Sequence, residues 1–395
     1  MKVQTVETFV LRAAPEEVYW GARTWSADHG RPLVEYPPAA RRRYVYSDTI
    51  DTVLVKITTS DGVTGWGEAK APVGGRATAA IVDDLLAPLV LGSGLDELTA
   101  TWERMYAGMR VRGHDSGFWL EALAGVDIAL WDAWARTVGR PLWALLGGRF
   151  RETVPVYASG VPAGSADDAG QEVVRAEAQR LRDQGYGAVK VAIGVSPEDD
   201  IASVATVRSV FGPSAAVFAD AAGQYELPQA LRVGRALAEL GAGFFEMPLP
   251  PEDVDGYARL AAALDVPLAL DSLASRHRAL AFLRSGGLHV LQPDVCRAGG
   301  VTETMRIAAL ADAFGAQATP HVSIGSPIHV AASVQCAAAM PNFAIMEYWI
   351  GSNPLAAVAA DALTPAGSAI AVPAGPGLGI TVDEDAVRRL AGAGR

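Results

Sequence analysis

The chain begins with "MKVQTVETFVLRAAP", which alternates apolar and polar residues as a strand does. Further on, "DTVLVKITTSDGVTGWGEA" reads as two strands joined at Asp61-Gly62, a strong hairpin signal. Between them lies "VYWGARTWSADHGRPLVEYPPAARRRYVYS", rich in Gly, Pro, Arg and aromatics and without a period. A loop of that length within a compact domain is usually a functional lid or disordered. The segment from Tyr19 to Tyr46 is therefore expected to cover an active-site mouth. Helical patterns follow, "ATAAIVDDLLAPLVL" and "WLEALAGVDIALWDAWARTVG", the second stopping at Gly139 before Pro141.

From about residue 153 the pattern becomes a repeat. Short β-rich runs alternate with alanine-rich helices: "VPVYASG", "AVKVAIG", "AVFADAAG", "GFFEMPLP", "VPLALDSL", "HVLQPDV", "AQATPHV" and "FAIMEYW". A repeated βα unit implies a parallel sheet with right-handed crossovers. Eight units over about 200 residues match a (β/α)₈-type barrel. The turn-rich "PAGPGLGITVDEDAVRRL" near the end is expected to return to the amino-terminal domain.

Within these runs the ionisable residues fall near the carboxyl-terminal strand ends: Lys190, Asp220, Glu246, Asp271, Asp294, His321 and Glu347. From Asp220 onward the intervals are 26, 25, 23, 27 and 26 residues, about one βα unit each. Barrel active sites are assembled at that face, so a whole ring of such groups converges on one mouth. Asp220, Glu246 and Asp271 come from three consecutive strands, and bunched carboxylates repel unless a cation neutralises them. Oxygen ligands without nearby Cys or His favour a hard ion such as Mg²⁺. Lys190 sits in an otherwise apolar strand; an ammonium there is costly unless anions meet it, and the carboxylate cluster one strand away supplies them. Asp294 followed one strand later by His321 gives a carboxylate beside an imidazole, which fixes the tautomer of a base. His114, His277, His289 and His329 lack such placement and read as structural or surface residues.

Half the residues are hydrophobic, 19% are charged and the net charge is -11. That composition excludes general disorder and argues against nucleic-acid or anionic-membrane partners, which need clustered basic residues. The one dense basic cluster, Arg41 to Arg43, reads as a solvated loop or a small anion contact. Cys296 and Cys336 lie in apolar, unrelated segments and read as buried free thiols. No signal peptide or membrane-spanning run is visible, and a cytoplasmic location is expected.

The stretches "GVDIALWDAWARTVGRPLWALLGG" (Gly125 to Gly148), "VLQPDVCRAGGVTE" (Val290 to Glu303), "TPHVSIGSP" and "IMEY" together resemble the enolase superfamily, in its mandelate racemase / muconate lactonizing enzyme branch, over nearly the full chain. The resemblance implies an α/β fold: a modified (β/α)₇β barrel over residues 126–359, with an α+β capping domain from residues 1–125 to which 360–395 return. It implies Mg²⁺ on Asp220, Glu246 and Asp271, an Asp294–His321 dyad, Glu347 near the substrate carboxylate, and a homo-oligomer. Three departures stand out. Relatives with a catalytic lysine carry Lys-x-Lys on the second barrel strand, whereas this chain has Lys190-Val191-Ala192, so the base position is empty. Asp271 replaces the glutamate of many relatives, and Glu246 precedes Met247-Pro248 where Glu-Pro is usual.

The superfamily's shared step, removal of a proton α to a carboxylate, uses a Lys or His base with Mg²⁺ stabilising the ene-diolate. Lys190 and Mg²⁺ would supply positive charge, and Glu347, if protonated, a hydrogen bond. With one base, His321, β-elimination is favoured over two-base racemisation: dehydration of a polyhydroxylated small-molecule carboxylate, an aldonate or aldarate, to a 2-keto-3-deoxy acid. Arg23, His29 and Arg41 to Arg43 in the insertion suit such a substrate. Open alternatives are lactone cycloisomerisation or epimerisation with Lys190 or Tyr225 as second group, a metal-binding barrel without catalysis, and an aldolase using Lys190 as a Schiff base.

Overall fold

The computed structural model describes residues 1–14 and 49–392, together with the backbone of 23–24, 33–35 and 45–47. The expected covering segment from Tyr19 to Tyr46, and with it the side chains of Arg23, His29 and Arg41 to Arg43, lies outside the described side chains.

The amino-terminal strands form a three-stranded antiparallel sheet, in which Ile50–Thr59 pairs with both Val3–Ala13 and Thr64–Ala69. The hairpin turns at Asp61-Gly62, where Gly62 takes the left-handed conformation (φ 81°) that a Cβ would strain. The helix Phe118–Thr137 lies across this sheet. Gly67 permits the approach, since a Cβ there would come within 2.0 Å of the Gly125 carbonyl oxygen. Asp132, on that helix, accepts from the backbone N–H of Trp66 (2.9 Å) and of Leu378 (2.8 Å), tying hairpin, helix and carboxyl-terminal tail together.

Eight parallel strands follow: Thr153–Pro162, Ala188–Ala192, Ala216–Asp220, Phe245–Glu246, Leu268–Leu270, Val290–Leu291, Gln317–Ala318 and Met346–Trp349. Each pairs with the next in sequence from the first to the seventh, and the eighth pairs with the first, Glu347 opposite Tyr157. The ring closes between the seventh and eighth, where Ala344 N donates to Ala318 O (3.1 Å) and Glu347 N to Pro320 O (3.2 Å). Seven helices connect the eight strands, so the barrel is (β/α)₇β, as the resemblance implied. Ser196, Asp253, Ser275 and Ser326 cap four of these helices with their side chains, the expected chemistry for a tight strand-to-helix turn. In the tail, Ala369–Ala371 pairs antiparallel with the first barrel strand, and Glu384–Gly392 packs against Val3–Ala13.

Side chains alternate along each barrel strand. Val189 and Val191, or Val217 and Ala219, face the helices and join the largest apolar cluster. The other parity points inward, where Tyr157, Ala188, Phe218, Phe244, Ala269 and Val290 fill the barrel floor. Phe218 and Phe244 stack there at 4.0 Å between ring centroids.

Candidate active site

Two residues beyond each floor residue, on the same inward face, stands a polar one. Tyr157 is followed by Ser159, Ala188 by Lys190, Phe218 by Asp220, Phe244 by Glu246, Ala269 by Asp271, and Val290 by Gln292. An apolar plug thus supports a polar layer at the carboxyl-terminal mouth. Backbone strain marks two of these strand ends: Ala222 and Met247, just beyond Asp220 and Glu246, are the non-glycine residues with positive φ among the described residues (48° and 39°).

Lys190, 1% exposed, lies inside the anionic group. Its Nζ is 2.8 Å from Glu347 Oε1, 2.9 Å from Glu246 Oε2 and 3.4 Å from Asp220 Oδ2. Burial alone would push its amine down, but Glu246 and Glu347 outweigh that and hold it protonated, well above the usual lysine range. A charged amine cannot attack a carbonyl, so the Schiff-base alternative finds no support in this geometry. Glu347 accepts from Ser159 Oγ (2.6 Å) and Val322 N (3.0 Å). Burial pushes its carboxyl up, yet the Lys190 ammonium prevails and holds it well below the usual range. It is therefore an anionic acceptor in this arrangement, which departs from the protonated donor considered for it.

His321 Nδ1 is 2.8 Å from Asp294 Oδ2, while its Nε2 lies 3.4 Å from Glu347 Oε2 and 3.6 Å from Asp271 Oδ2. The Asp294 carboxylate fixes the ring through Nδ1 and turns Nε2 toward the mouth, where Glu347 and Asp271 face it. Asp294 is buried, which would raise its carboxyl, but His329 and Lys70 hold it well below the usual range.

The residues expected to hold a metal fit that task chemically. Glu246 is pushed well above the usual carboxylate range by burial and by Asp220, and Asp220 is raised by burial as well. Asp271 Oδ1 is buried with no hydrogen-bond partner. Lys190 beside Asp220 and Glu246, and the Arg297 guanidinium 3.9 Å from Asp271 Oδ2, answer this set only in part, and oxygen-only donors suit Mg²⁺. Among the described residues, the set whose ligand atoms all fall within 4.8 Å of one another is instead Asp294, Cys296 and His329. That trio is a poor metal centre: the Lys70 ammonium sits 3.2 Å from Asp294 Oδ2, and burial pushes the Cys296 thiol well up. Cys296 and Cys336 are both free and buried.

Four participants were not singled out from the sequence: Ser159, Gln292, Lys70 and His329. Gln292 Nε2 donates to Glu246 Oε2 (2.8 Å). His329 Nε2 lies 3.1 Å from Asp294 Oδ1, though out of line for a full hydrogen bond. It is buried as a structural histidine would be, but at the dyad itself. His289 is structural: its Nδ1 accepts from Leu268 N (3.1 Å). Tyr225 does not serve as the second group in this arrangement, because its hydroxyl donates to Asp200 Oδ2 (2.5 Å) within the outer core. Ala192 faces inward beside Asp220 with nothing to offer.

Residues 173–386 match the family described as enolase C-terminal domain-like, and residues 43–147 match the mandelate racemase / muconate lactonizing enzyme amino-terminal domain. The chain is 36% identical over 345 residues to the D-galactarolactone cycloisomerase of Agrobacterium fabrum, covering 85% of this chain and 90% of that protein. It is 32% identical over 343 residues to the arabinonate dehydratase of Saccharolobus solfataricus, covering 84% and 88%. Its fold superposes with a TM-score of 0.83 on a racemase from Streptomyces coelicolor solved with bound magnesium, at 26% identity and covering 98% of this chain and 99% of that one. No helix among the described residues is long and apolar enough to cross a membrane. Both matched regions, the inward polar layer and the extent of these similarities place the chain in the mandelate racemase / muconate lactonizing enzyme family of the enolase superfamily.

Proposed function

We propose that this protein dehydrates a sugar acid, an aldonate or aldarate, to a 2-keto-3-deoxy acid, with Mg²⁺ held by Asp220, Glu246 and Asp271. The observation that carries this reading is the asymmetry of the mouth. On one side His321 has its Nδ1 fixed 2.8 Å from Asp294, which makes Nε2 the nitrogen that would take a proton. On the other, Lys190 is committed to three carboxylates and Ala192 carries no base. One base suffices for elimination: His321 takes the α-proton at Nε2, the C–H electrons form the double bond, and the departing β-hydroxyl leaves as water with that same proton. The enol product then tautomerises to the 2-keto acid. When bound, Mg²⁺ supplies positive charge to the substrate carboxylate. Lys190 adds a fixed ammonium, and Gln292 and Ser159 orient Glu246 and Glu347.

Cycloisomerisation of an acid-sugar lactone is the second reading, favoured by the 36% identity to the Agrobacterium fabrum enzyme. It uses the same proton abstraction but loses no water. A panel of aldonates, aldarates and their lactones, incubated with Mg²⁺, separates the two. Formation of 2-keto acid supports dehydration; loss of lactone without 2-keto acid supports cycloisomerisation. Absence of both, with no solvent deuterium entering any member, overturns the reading.

A further inference from the structure

Lys70 belongs to the amino-terminal hairpin, one residue past its second strand, yet it reaches the barrel mouth and is buried there. Its Nζ lies 3.2 Å from Asp294 Oδ2, the same oxygen that faces His321 Nδ1, and donates to Ser323 Oγ, two residues beyond His321. Its backbone N–H donates to Cys296 O (3.3 Å), two residues beyond Asp294. One residue of the amino-terminal sheet therefore clasps the loop after the sixth barrel strand and the loop after the seventh. The other Asp294 oxygen accepts from Cys296 N (2.9 Å) and lies 3.1 Å from His329.

We infer that Lys70 is a positioning residue for the Asp294–His321 pair, by which the amino-terminal sheet sets the orientation of the base. A buried carboxylate held by a histidine alone can rotate and carry the imidazole with it. An ammonium on the same oxygen fixes its direction, and with it the direction in which the His321 ring is held. The catalytic part of this inference rests on the reaction proposed above, whereas the structural part does not.

Two measurements test it. In turnover, Lys70→Met should lower kcat about ten- to a hundred-fold, the scale of a lost charge-assisted hydrogen bond, with KM unchanged and α-deuterium exchange falling by the same factor. Lys70→Arg should recover most of the loss. Lys70→Gln, which can still bond Ser323, guards against a Met variant that does not fold and should show the same split. In the free protein, the far-downfield proton resonance of His321 Nδ1, assigned by its loss in His321→Ala, should move in Lys70→Met and return in Lys70→Arg. This arm needs no substrate, so failure of the sugar-acid reading leaves it intact. Raised KM with kcat kept would make Lys70 a substrate contact. That outcome, an Arg variant as impaired as the Met variant, or an unmoved resonance overturns the inference.

Discussion

Lys190 Nζ and Glu246 Oε2 meet at 2.9 Å in the centre of the barrel mouth, both residues about 1% exposed. An ammonium is tolerable there only with carboxylates around it. Asp220 and Glu347 crowd the same ammonium, so one cation answers three carboxylates.

Removing that ammonium should expose the imbalance. Lys190→Met is expected to cost about 3–5 kcal/mol of stability, the range for breaking a buried ion pair from one side. Mg²⁺ should restore more stability to the variant than to the wild type, because it replaces the lost cation. Thermal unfolding of both proteins with and without Mg²⁺ checks this; an equal Mg²⁺ increment in the two would count against a shared anionic site.

The metal itself should act as a ligand that stabilises the fold. At a hundred times its Kd, Mg²⁺ is expected to add about 2.7 kcal/mol, and chelation should remove that increment along with activity. Asp271→Asn, which neutralises the carboxylate with the orphaned buried oxygen, should abolish the increment. Isothermal titration with Mg²⁺ alone reads the same loss without any substrate.

The dyad should separate from the cation in exchange experiments. His321→Ala is expected to reduce α-proton exchange with solvent deuterium by about 10²–10⁴-fold, the usual contribution of a general base. Asp294→Asn should slow it as well by disturbing the tautomer held at 2.8 Å. Lys190→Met should retain slow exchange. Exchange kept in His321→Ala and lost in Lys190→Met would make Lys190 the base.

How far the site could be read from the sequence follows from one regularity. The barrel repeats its unit about every 25 residues, so the charged strand-end residues announce themselves by spacing, and Lys190, Asp220, Glu246, Asp271, Asp294, His321 and Glu347 do meet. Ser159 and Gln292 obey the same geometry, two residues past Tyr157 and Val290. They escaped notice because a search for charges passes over neutral side chains. Lys70 and His329 carry no such signal. Lys70 arrives from a separate sheet across 224 residues of chain, and His329 from the first turn of the helix Pro327–Ala339. A strand-end rule has nothing to say about either, and only tertiary packing brings them to Asp294.

Outside the site, Asp127 offers a test of the fold through pH. It is fully buried on the helix Phe118–Thr137, accepting from Thr302 N (2.9 Å) and Thr302 Oγ1 (2.8 Å). Burial pushes its carboxyl up from 3.8 to about 7, more than the Thr302 bonds lower it. Between these two values the folded protein keeps a proton that the unfolded chain has shed. Unfolding then releases a proton, and stability falls as pH rises, by up to roughly 1.4 kcal/mol per unit from this group. Above about 7 both states are ionised and the slope vanishes. Asp127→Asn keeps an acceptor for Thr302 N but cannot ionise, so it lacks the slope. Whatever its stability at pH 5, the variant should gain on the wild type by pH 8 in denaturant unfolding. A stability difference that stays constant between those pH values would show that Asp127 is ionised in the folded protein throughout.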